Sequence, residues 1–186
     1  MVLPTEPQRI QSMHGELILR RYQESDIFFH ADYLFGSPKE FLESIGFDLV
    51  KLGNKDDWTT AMRKRLADQN SANSLPHIIV AEFQGRALSM VFLDLRNADK
   101  IPRFHFHIFE PSLRGLGLGG LIFKAGSEIL SQLHGFNYFF IEPKASNNRM
   151  NALMRKLGFK YLKDYLLPAG PVTQEMQVSQ YEIRTN

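Results

Sequence analysis

Four glycines fall within six consecutive positions, from Gly115 to Gly120, directly after Arg114. Residues 103–109 before them form an apolar run that is typical of a strand, and the residues after them repeat apolar side chains at helical spacing. Glycine lets a backbone approach a ligand closely. The unpaired N–H groups and the positive dipole at a helix start favour an anion. The pattern therefore predicts a site for a phosphate or pyrophosphate group.

Two histidines, His105 and His107, lie in the strand that precedes the glycines, and their spacing of two puts them on one face. Because the ordinary histidine pKa is ~6.5, either side chain could accept a proton near neutral pH. The sequence leaves a second interpretation open, in which both are packed core residues. Glu142, at the end of a later apolar run, is another candidate base. No third ligand has supporting spacing, so a metal site is not predicted.

Two common glycine-rich phosphate motifs fit this chain poorly. A Walker loop requires Lys and Ser or Thr after the glycines, and Gly119-Gly120-Leu121 lacks them. A dinucleotide fold requires an early parallel strand–helix–strand unit. Here three strands joined by short connections, which predict antiparallel pairing, come before the glycines. A turn without any ligand would leave the four clustered glycines unexplained.

The elements that must position these residues predict an α+β fold with a mixed, mostly antiparallel sheet of about seven strands and four to five helices. We expect residues 1–14 to be a flexible arm and residues 15–186 to form a single domain. Strands are expected at about 16–22, 77–83, 87–95, 103–109, 138–142, 159–166 and 176–183, and helices at about 24–35, 37–50, 56–68, 118–133 and 148–157.

Composition limits the class of protein. With 186 residues, 44% of them hydrophobic and 23% charged, the chain suits one well-buried globular domain. No apolar run approaches the ~20 residues that span a bilayer, and no secretory signal is present, so we expect a cytoplasmic protein without a membrane partner. The net charge is only +2, and the basic cluster Arg63-Lys64-Arg65 lacks interleaved aromatics, so no nucleic-acid partner is predicted. The absence of cysteine excludes a cysteine nucleophile.

The glycine segment resembles the signature Arg/Gln-x-x-Gly-x-Gly/Ala of the GNAT superfamily of acetyl-coenzyme A-dependent N-acetyltransferases, with Arg114, Gly117 and Gly119 at the matching positions. A second similarity runs from Asn147 to the Lys-Leu-Gly-Phe sequence that ends at Phe159. The resemblance implies that loop amides bind the pyrophosphate of acetyl-CoA. It also implies a sheet that splays between the fourth and fifth of the predicted strands, where the pantetheine arm inserts.

The resemblance also implies roles for other residues. A backbone amide at about Phe109 would stabilise the oxyanion, His105 or a linked water would be the base, and aromatic residues of the first helix would line the acceptor side. The cofactor-binding residues implied are Ile108, Phe109, Arg114, Gly115, Leu116, Gly117, Leu118, Gly119, Gly120, Asn147 and Asn151. The pocket residues implied are Phe28, Phe29 and Tyr33, and the catalytic candidates are His105, His107 and Glu142.

The sequence departs from the family pattern at Met154, where relatives commonly carry a tyrosine that acts as the acid. Tyr161, Tyr165 or a water could replace it. The resemblance implies direct transfer of acetyl from acetyl-CoA to a primary amine, on a small molecule or a protein N-terminus, with a homodimer as a possible assembly. The alternative is a coenzyme A-binding module that senses or scaffolds without catalysis.

Overall fold

The computed structural model describes residues 7–69, 77–95 and 101–184. Its centre is an eight-stranded sheet in the order β1-β2-β3-β4-β5-β6-β8-β7. The strands are Gln8–Ser12 (β1), Gly15–Arg21 (β2), Ile78–Phe83 (β3), Arg86–Asp94 (β4), Arg103–Ile108 (β5), Tyr138–Ile141 (β6), Lys160–Leu167 (β7) and Met176–Arg184 (β8). All neighbours pair antiparallel except β5 and β6, which confirms the mixed, mostly antiparallel sheet.

The first strand corrects the prediction of a flexible arm over residues 1–14. β1 pairs with β2 along its whole length, from Gln8 opposite Leu19 to Ser12 opposite Gly15. Ile10 packs against the core, and Arg9 forms an ion pair with Glu16 across the hairpin. The strand is short and mostly polar, so its own sequence gave little sign of it, and the pairing depends on β2. Residues 1–6 of the predicted arm lie outside the described residues.

The sheet opens between β5 and β6, the fourth and fifth of the predicted strands. These two strands run parallel and share a single register pair, Arg103 with Phe140, supported by the Phe140 N–H donating to the Pro102 carbonyl at 2.9 Å. The rest of β5 has no register partner in β6. The predicted splay is therefore confirmed, and its closed end lies at Arg103.

Within the described residues, six α-helices cover the two faces of the sheet: Asp26–Gly36 (α1), Lys39–Ser44 (α2), Leu49–Leu52 (α3), Lys55–Gln69 (α4), Leu118–His134 (α5) and Asn148–Lys156 (α6). One core packs α5 and α6 against residues such as Val91 and Phe104, and the other packs α1 to α4 against residues such as Val80 and Met90. Because strand side chains alternate between faces, Phe106 and Ile108 face α5 whereas His105 and His107 face α1. Among the described helices, none has the length and apolarity that a membrane span requires.

The single helix predicted over residues 37–50 is divided into α2 and α3. Phe47 forms an isolated bridge with Thr173, and the Asp48 N–H donates to the Val172 carbonyl at 3.0 Å. The Asp48 side chain then caps α3 by accepting from the N–H groups of Val50 and Lys51. These contacts with a distant segment override the helical pattern, and local spacing could not indicate them.

Candidate active site

The connection from β5 to α5 contains a 3₁₀ turn, Pro111–Leu113, followed by the predicted glycine loop. Gly117 is the N-cap of α5 and has a φ of 79°, a value that other residues rarely adopt. The first N–H groups of a helix have no partner within it, and the dipole is positive at this end. The start of α5, which carries Leu118, therefore has the geometry that an anion site requires.

The next two glycines provide close packing. A Cβ on Gly119 would lie 3.4 Å from the Ile108 side chain and from the Phe106 ring. A Cβ on Gly120 would lie 3.3 Å from Leu153 of α6. The start of α5 is thus held closely against β5 and α6, beside the splay.

Two side chains fix the backbone of the loop. The Arg114 guanidinium donates to the Ile108 carbonyl at 3.0 Å and lies 4.3 Å from the ring centre of Phe41. His14, in the turn between β1 and β2, donates from Nε2 to the carbonyl of Leu116 at 3.1 Å. Arg114 therefore ties the loop to β5 and α2 in this structure. Gly115 and Leu116 are exposed in the same loop.

The amide of Phe109 is engaged, which does not support the role of oxyanion donor implied for it. Its N–H donates to the Leu88 carbonyl of β4 at 2.8 Å. In an antiparallel pair, the peptide groups of alternate residues point to opposite sides. The register of β4 and β5 therefore directs the N–H groups of Phe106 and Ile108 away from β4, toward the splay.

His105 lies on the α1 face of β5, and 47% of its side chain is exposed. Its Nε2 is 3.9 Å from an Asp94 carboxylate oxygen, and its ring stacks on Phe92 with 5.6 Å between centres. The carboxylate would stabilise the imidazolium electrostatically if His105 took up a proton.

His107 lies on the same face but in a different environment. Its Nδ1 is 3.1 Å from the Tyr33 hydroxyl, and its ring centre is 5.8 Å from that of Phe47. Burial, with smaller effects from His105 and Arg114, lowers the pKa of His107 to about 3. His107 is therefore neutral near pH 7, which makes it a poor proton acceptor.

Glu142 lies at the closed end of the splay, and both of its carboxylate oxygens have partners. One accepts from Arg103 Nε at 3.0 Å and the other from Gln180 Nε2 at 2.7 Å. Tyr165 adjoins the same carboxylate; burial, followed by its hydrogen bond to Glu142, raises the pKa of Tyr165 to about 12. These contacts favour a structural role for Glu142 over that of a base.

Both predicted asparagines stabilise the start of α6. Asn147 is the N-cap, and its side chain accepts from the Met150 N–H at 3.1 Å. Asn151 is buried, and its amide donates to the carbonyls of Lys144, Ala145 and Asn147 while its oxygen accepts from the Tyr181 hydroxyl at 3.0 Å. Both the amide nitrogen and the oxygen of the Asn151 side chain therefore have hydrogen-bond partners within the protein.

The aromatic residues of α1 divide between two environments. Phe28 is 64% exposed, lies near Lys55 and is not among the residues that line the cleft, so its role in the pocket stays a prediction. Phe29 and Tyr33 line a cleft of about 410 Å³ on the α1 side of the sheet. The other residues in that lining that bear on recognition are Asp32, Arg86, Phe109 and Glu110.

At the position where relatives commonly carry a tyrosine, the side chain of Met154 is inaccessible to solvent. Met154 is fully buried in the core shared by α5 and α6. Tyr161 is half exposed on the edge strand β7, whereas Tyr165 lies beside Glu142. Among the described residues, no group of three or more His, Asp or Glu could hold a metal ion.

The model of the Acetyltransferase (GNAT) family matches residues 43–159. This span is more than half of the chain and includes β5, the glycine loop, α5 and α6. The chain belongs to the GNAT acetyltransferase family. No curated protein matches the sequence at a significant level.

Solved structures share the fold of this GNAT protein at low sequence identity. The yncA protein of Salmonella typhimurium, with its cofactor acetyl-CoA, has a TM-score of 0.67 and 11% identity over 91% of this chain and 94% of that one. A Salmonella typhimurium acetyltransferase that modifies the N-terminal serine of ribosomal protein L7/L12 has a TM-score of 0.67 and 14% identity, covering 91% and 95%. A chimera of the spermidine N-acetyltransferase SpeG from Vibrio cholerae and hSSAT has a TM-score of 0.68 and 15% identity, covering 90% and 95%.

Three residues of this GNAT site were missed by the sequence reasoning. Asp94 ends β4 next to His105, Arg103 holds Glu142, and Gln180 comes from β8. The position of Asp94 could have been predicted from the sequence. It is an acidic residue at the end of an apolar strand, and such a residue lies beside the residues of the next strand in a hairpin. The positions of Arg103 and Gln180 could not be predicted in this way, since their contacts cross the sheet.

Proposed function

We propose that this protein is an N-acetyltransferase that transfers the acetyl group of acetyl-CoA directly to a primary amine. The observation that carries the proposal is the glycine-formed start of α5 beside the splay between β5 and β6. A phosphate site next to an opening in the sheet suits a donor with a pyrophosphate and a long, flexible arm. The absence of cysteine from the sequence argues against a cysteine-bound acyl intermediate.

The pyrophosphate would bind the N–H groups at the start of α5, from Leu118 to Gly120, where backbone donors and the helix dipole act together. Glycine at position 119 keeps this start close to β5, so a bound donor enters the splay directly. Arg114 supports the loop through Ile108. The pantetheine arm would then lie along the free edge of β5.

The thioester oxygen gains negative charge as the amine attacks, and a donor at that position lowers the barrier. We assign this role to the N–H of Phe106 or Ile108, which point toward the splay, rather than to the amide of Phe109. The tetrahedral intermediate then collapses by breaking the C–S bond, and the coenzyme A thiolate leaves.

The attacking amine must be neutral, whereas free alkylamines are mostly protonated near pH 7. His105 is the proposed base, directly or through a water, because its ring is half exposed and Asp94 lies close enough to stabilise its charged form. Both carboxylate oxygens of Glu142 already accept hydrogen bonds, so we assign Glu142 a structural role, in which it connects β5, β6 and β8 at the closed end of the splay.

We assign the acceptor to the cleft beside Tyr33 and Phe109, which lies on the same face of the sheet as both histidines, although neither histidine lines it. Asp32 and Glu110 in its lining favour an acceptor that arrives positively charged, as a polyamine or a protein N-terminus does. Of the structural relatives, one acts on spermidine and another on a protein N-terminal serine. Polyamines and peptides with a free N-terminus are therefore both included in the assay that follows.

The test is release of coenzyme A from acetyl-CoA with a panel of polyamines, small monoamines and peptides with free or blocked N-termini. We expect turnover with at least one amine.

His105→Ala should lower kcat about 100-fold while the KM for acetyl-CoA changes little. His134→Ala is the matched control at the far end of α5 and should keep full activity. Full activity of His105→Ala between pH 6 and 9 would remove His105 as the base, and acetyl-CoA binding without turnover would favour a non-catalytic module.

A further inference from the structure

The buried tyrosine of α1, which lines the acceptor cleft, forms a hydrogen bond with the second histidine of β5. Tyr33 is 5% exposed, and its hydroxyl lies 3.1 Å from Nδ1 of His107. The two ring centres are 5.6 Å apart. A hydrogen bond of this kind fixes the orientation of the imidazole and influences which ring nitrogen carries its proton.

The chemistry of the two groups favours one direction for this hydrogen bond. Burial raises the pKa of the Tyr33 hydroxyl well above its usual value, so the hydroxyl keeps its proton. The partner that the structure gives this proton is Nδ1 of His107. A tyrosine hydroxyl can donate to Nδ1 or accept from it; donation gives its own proton a partner and places the hydrogen of the neutral imidazole on Nε2.

The groups that face His107 keep its ring uncharged. Tyr33 and His30 approach from α1, Arg114 from the glycine loop and His105 from the same strand. Arg114 and His105 both oppose a positive charge on the ring, and burial opposes it most. No carboxylate of the described residues contributes to the lowered pKa of His107.

The other ring nitrogen is available to a ligand. Nε2 of His107 forms no hydrogen bond with the described part of the chain, and it is not among the enclosed polar atoms without a partner, which are the hydroxyls of Ser89 and Ser131. Because Nε2 is not enclosed, an N–H at this position is open to bind an oxygen of a substrate.

We propose that His107 serves the transfer as an uncharged hydrogen-bond donor, through Nε2–H to a carbonyl oxygen of the bound substrates, and that Tyr33 is the positioning residue that fixes this tautomer. The inference rests on the proposed function and deepens it. The two histidines of β5 divide the work: His105 accepts the proton and His107 polarises a carbonyl. A neutral imidazole can act in this way because it is a donor that needs no charge.

The tautomer is tested directly by NMR of protein labelled with ¹⁵N in its histidines, with the His107 signals assigned by their loss in His107→Gln. We expect Nε2 to be protonated and Nδ1 unprotonated, without titration between pH 5 and 8. Tyr33→Phe should change this signature. Tyr22→Phe, which removes another buried tyrosine hydroxyl on the same side of the sheet, should leave it unchanged. An Nδ1–H tautomer, or a His107 that titrates in this range, would overturn the proposal.

Kinetics test the role of the donor. His107→Ala should lower kcat about 100-fold, and His107→Gln, whose amide N–H lies near the position of Nε2, should recover at least about tenfold of that loss. Equal activity of the two variants would exclude the donor role, since glutamine can donate but cannot act as a base. If the wild-type protein acetylates no amine, the proposed function fails, whereas the NMR experiment still decides the tautomer.

Discussion

At the scale of residues, three histidines on one side of the sheet differ because their surroundings differ. His105 is half exposed beside Asp94 and is suited to take up a proton. His107 is bonded to Tyr33, and burial lowers its pKa to about 3. His30 is buried, stacks on Phe109 with 5.5 Å between ring centres, and has its pKa lowered to about 3, chiefly by burial. One residue type thus provides a proposed base, a proposed donor and a core residue.

The left-handed backbone of Gly117 gives a prediction at this scale. Gly117→Ala should weaken acetyl-CoA binding at least fivefold, because a Cβ at a φ of 79° costs about 1–2 kcal/mol and shifts the first amides of α5. Calorimetric titration measures the affinity, and denaturant unfolding measures the stability.

Gly135→Ala is the matched control, because Gly135 caps the other end of α5 with a φ of 72° and, like Gly117, has open space at its Cβ position. It should lose similar stability and keep its affinity for acetyl-CoA. Equal affinities in the two variants would contradict the assignment of the loop.

At the scale of elements, the junction between β6 and α6 positions one side of the splay. Asn147 caps α6. Asn151 donates hydrogen bonds to carbonyls of the preceding turn and accepts one from the Tyr181 hydroxyl of β8. The hydroxyl of Tyr181 in turn accepts from Arg155 at 3.2 Å. These contacts fix α6 relative to the sheet, so both asparagines act on the site through the position of the helix.

Asn151→Ala should therefore lower the free energy of unfolding by about 3 kcal/mol, because it leaves several buried polar groups without partners. Asn147→Ala should cost about 1 kcal/mol, as expected for loss of a helix cap. Denaturant unfolding gives both values. A large loss of acetyl-CoA affinity with unchanged stability in Asn151→Ala would instead support the direct cofactor contact implied by the family resemblance.

At the scale of the whole molecule, the sheet separates two hydrophobic cores, and each core positions a different part of the site. The α5 side packs the glycine-formed helix start against β5, and the α1 side holds the histidines and the cleft. The α1 side buries His30 between Trp58 and Phe109, with ring centres 4.7 Å and 5.5 Å away. A neutral buried imidazole links the stability of the fold to pH.

Acidification should destabilise the protein. The folded pKa of His30, about 3, lies below the ordinary 6.5, so between these values the unfolded state binds more protons. Stability is complete above about pH 6.5 and falls as the pH is lowered toward 3. Between pH 7 and 5, His30→Phe should lose about 2 kcal/mol less than the wild type, measured by denaturant unfolding.

Between pH 8 and 9 the two proteins should show the same dependence, because His30 is neutral in both states. An equal loss between pH 7 and 5 would show that His30 takes up protons in the folded protein near its ordinary pKa.

The sequence alone predicted the elements whose signals are local. The apolar run of β5, the glycines before α5 and the Gly158 end of α6 depend on neighbouring residues, and the structure has each of them. The order of elements also came from these local patterns, whereas the splay came from the family resemblance that the glycine segment and the Asn147–Phe159 segment carry. Local patterns did not indicate β1, whose pairing needs β2, or the break between α2 and α3, which depends on Phe47 and Thr173.

The tertiary structure alone decided the chemistry of the individual groups. The sequence named His105, His107, Glu142 and Phe109, but residues far away in the chain determine what each can do. Leu88 engages the amide of Phe109, Arg103 and Gln180 occupy Glu142, and Tyr33 holds His107. Proton affinity and hydrogen-bond direction depend on burial and on partners across the sheet, and spacing along the chain records neither.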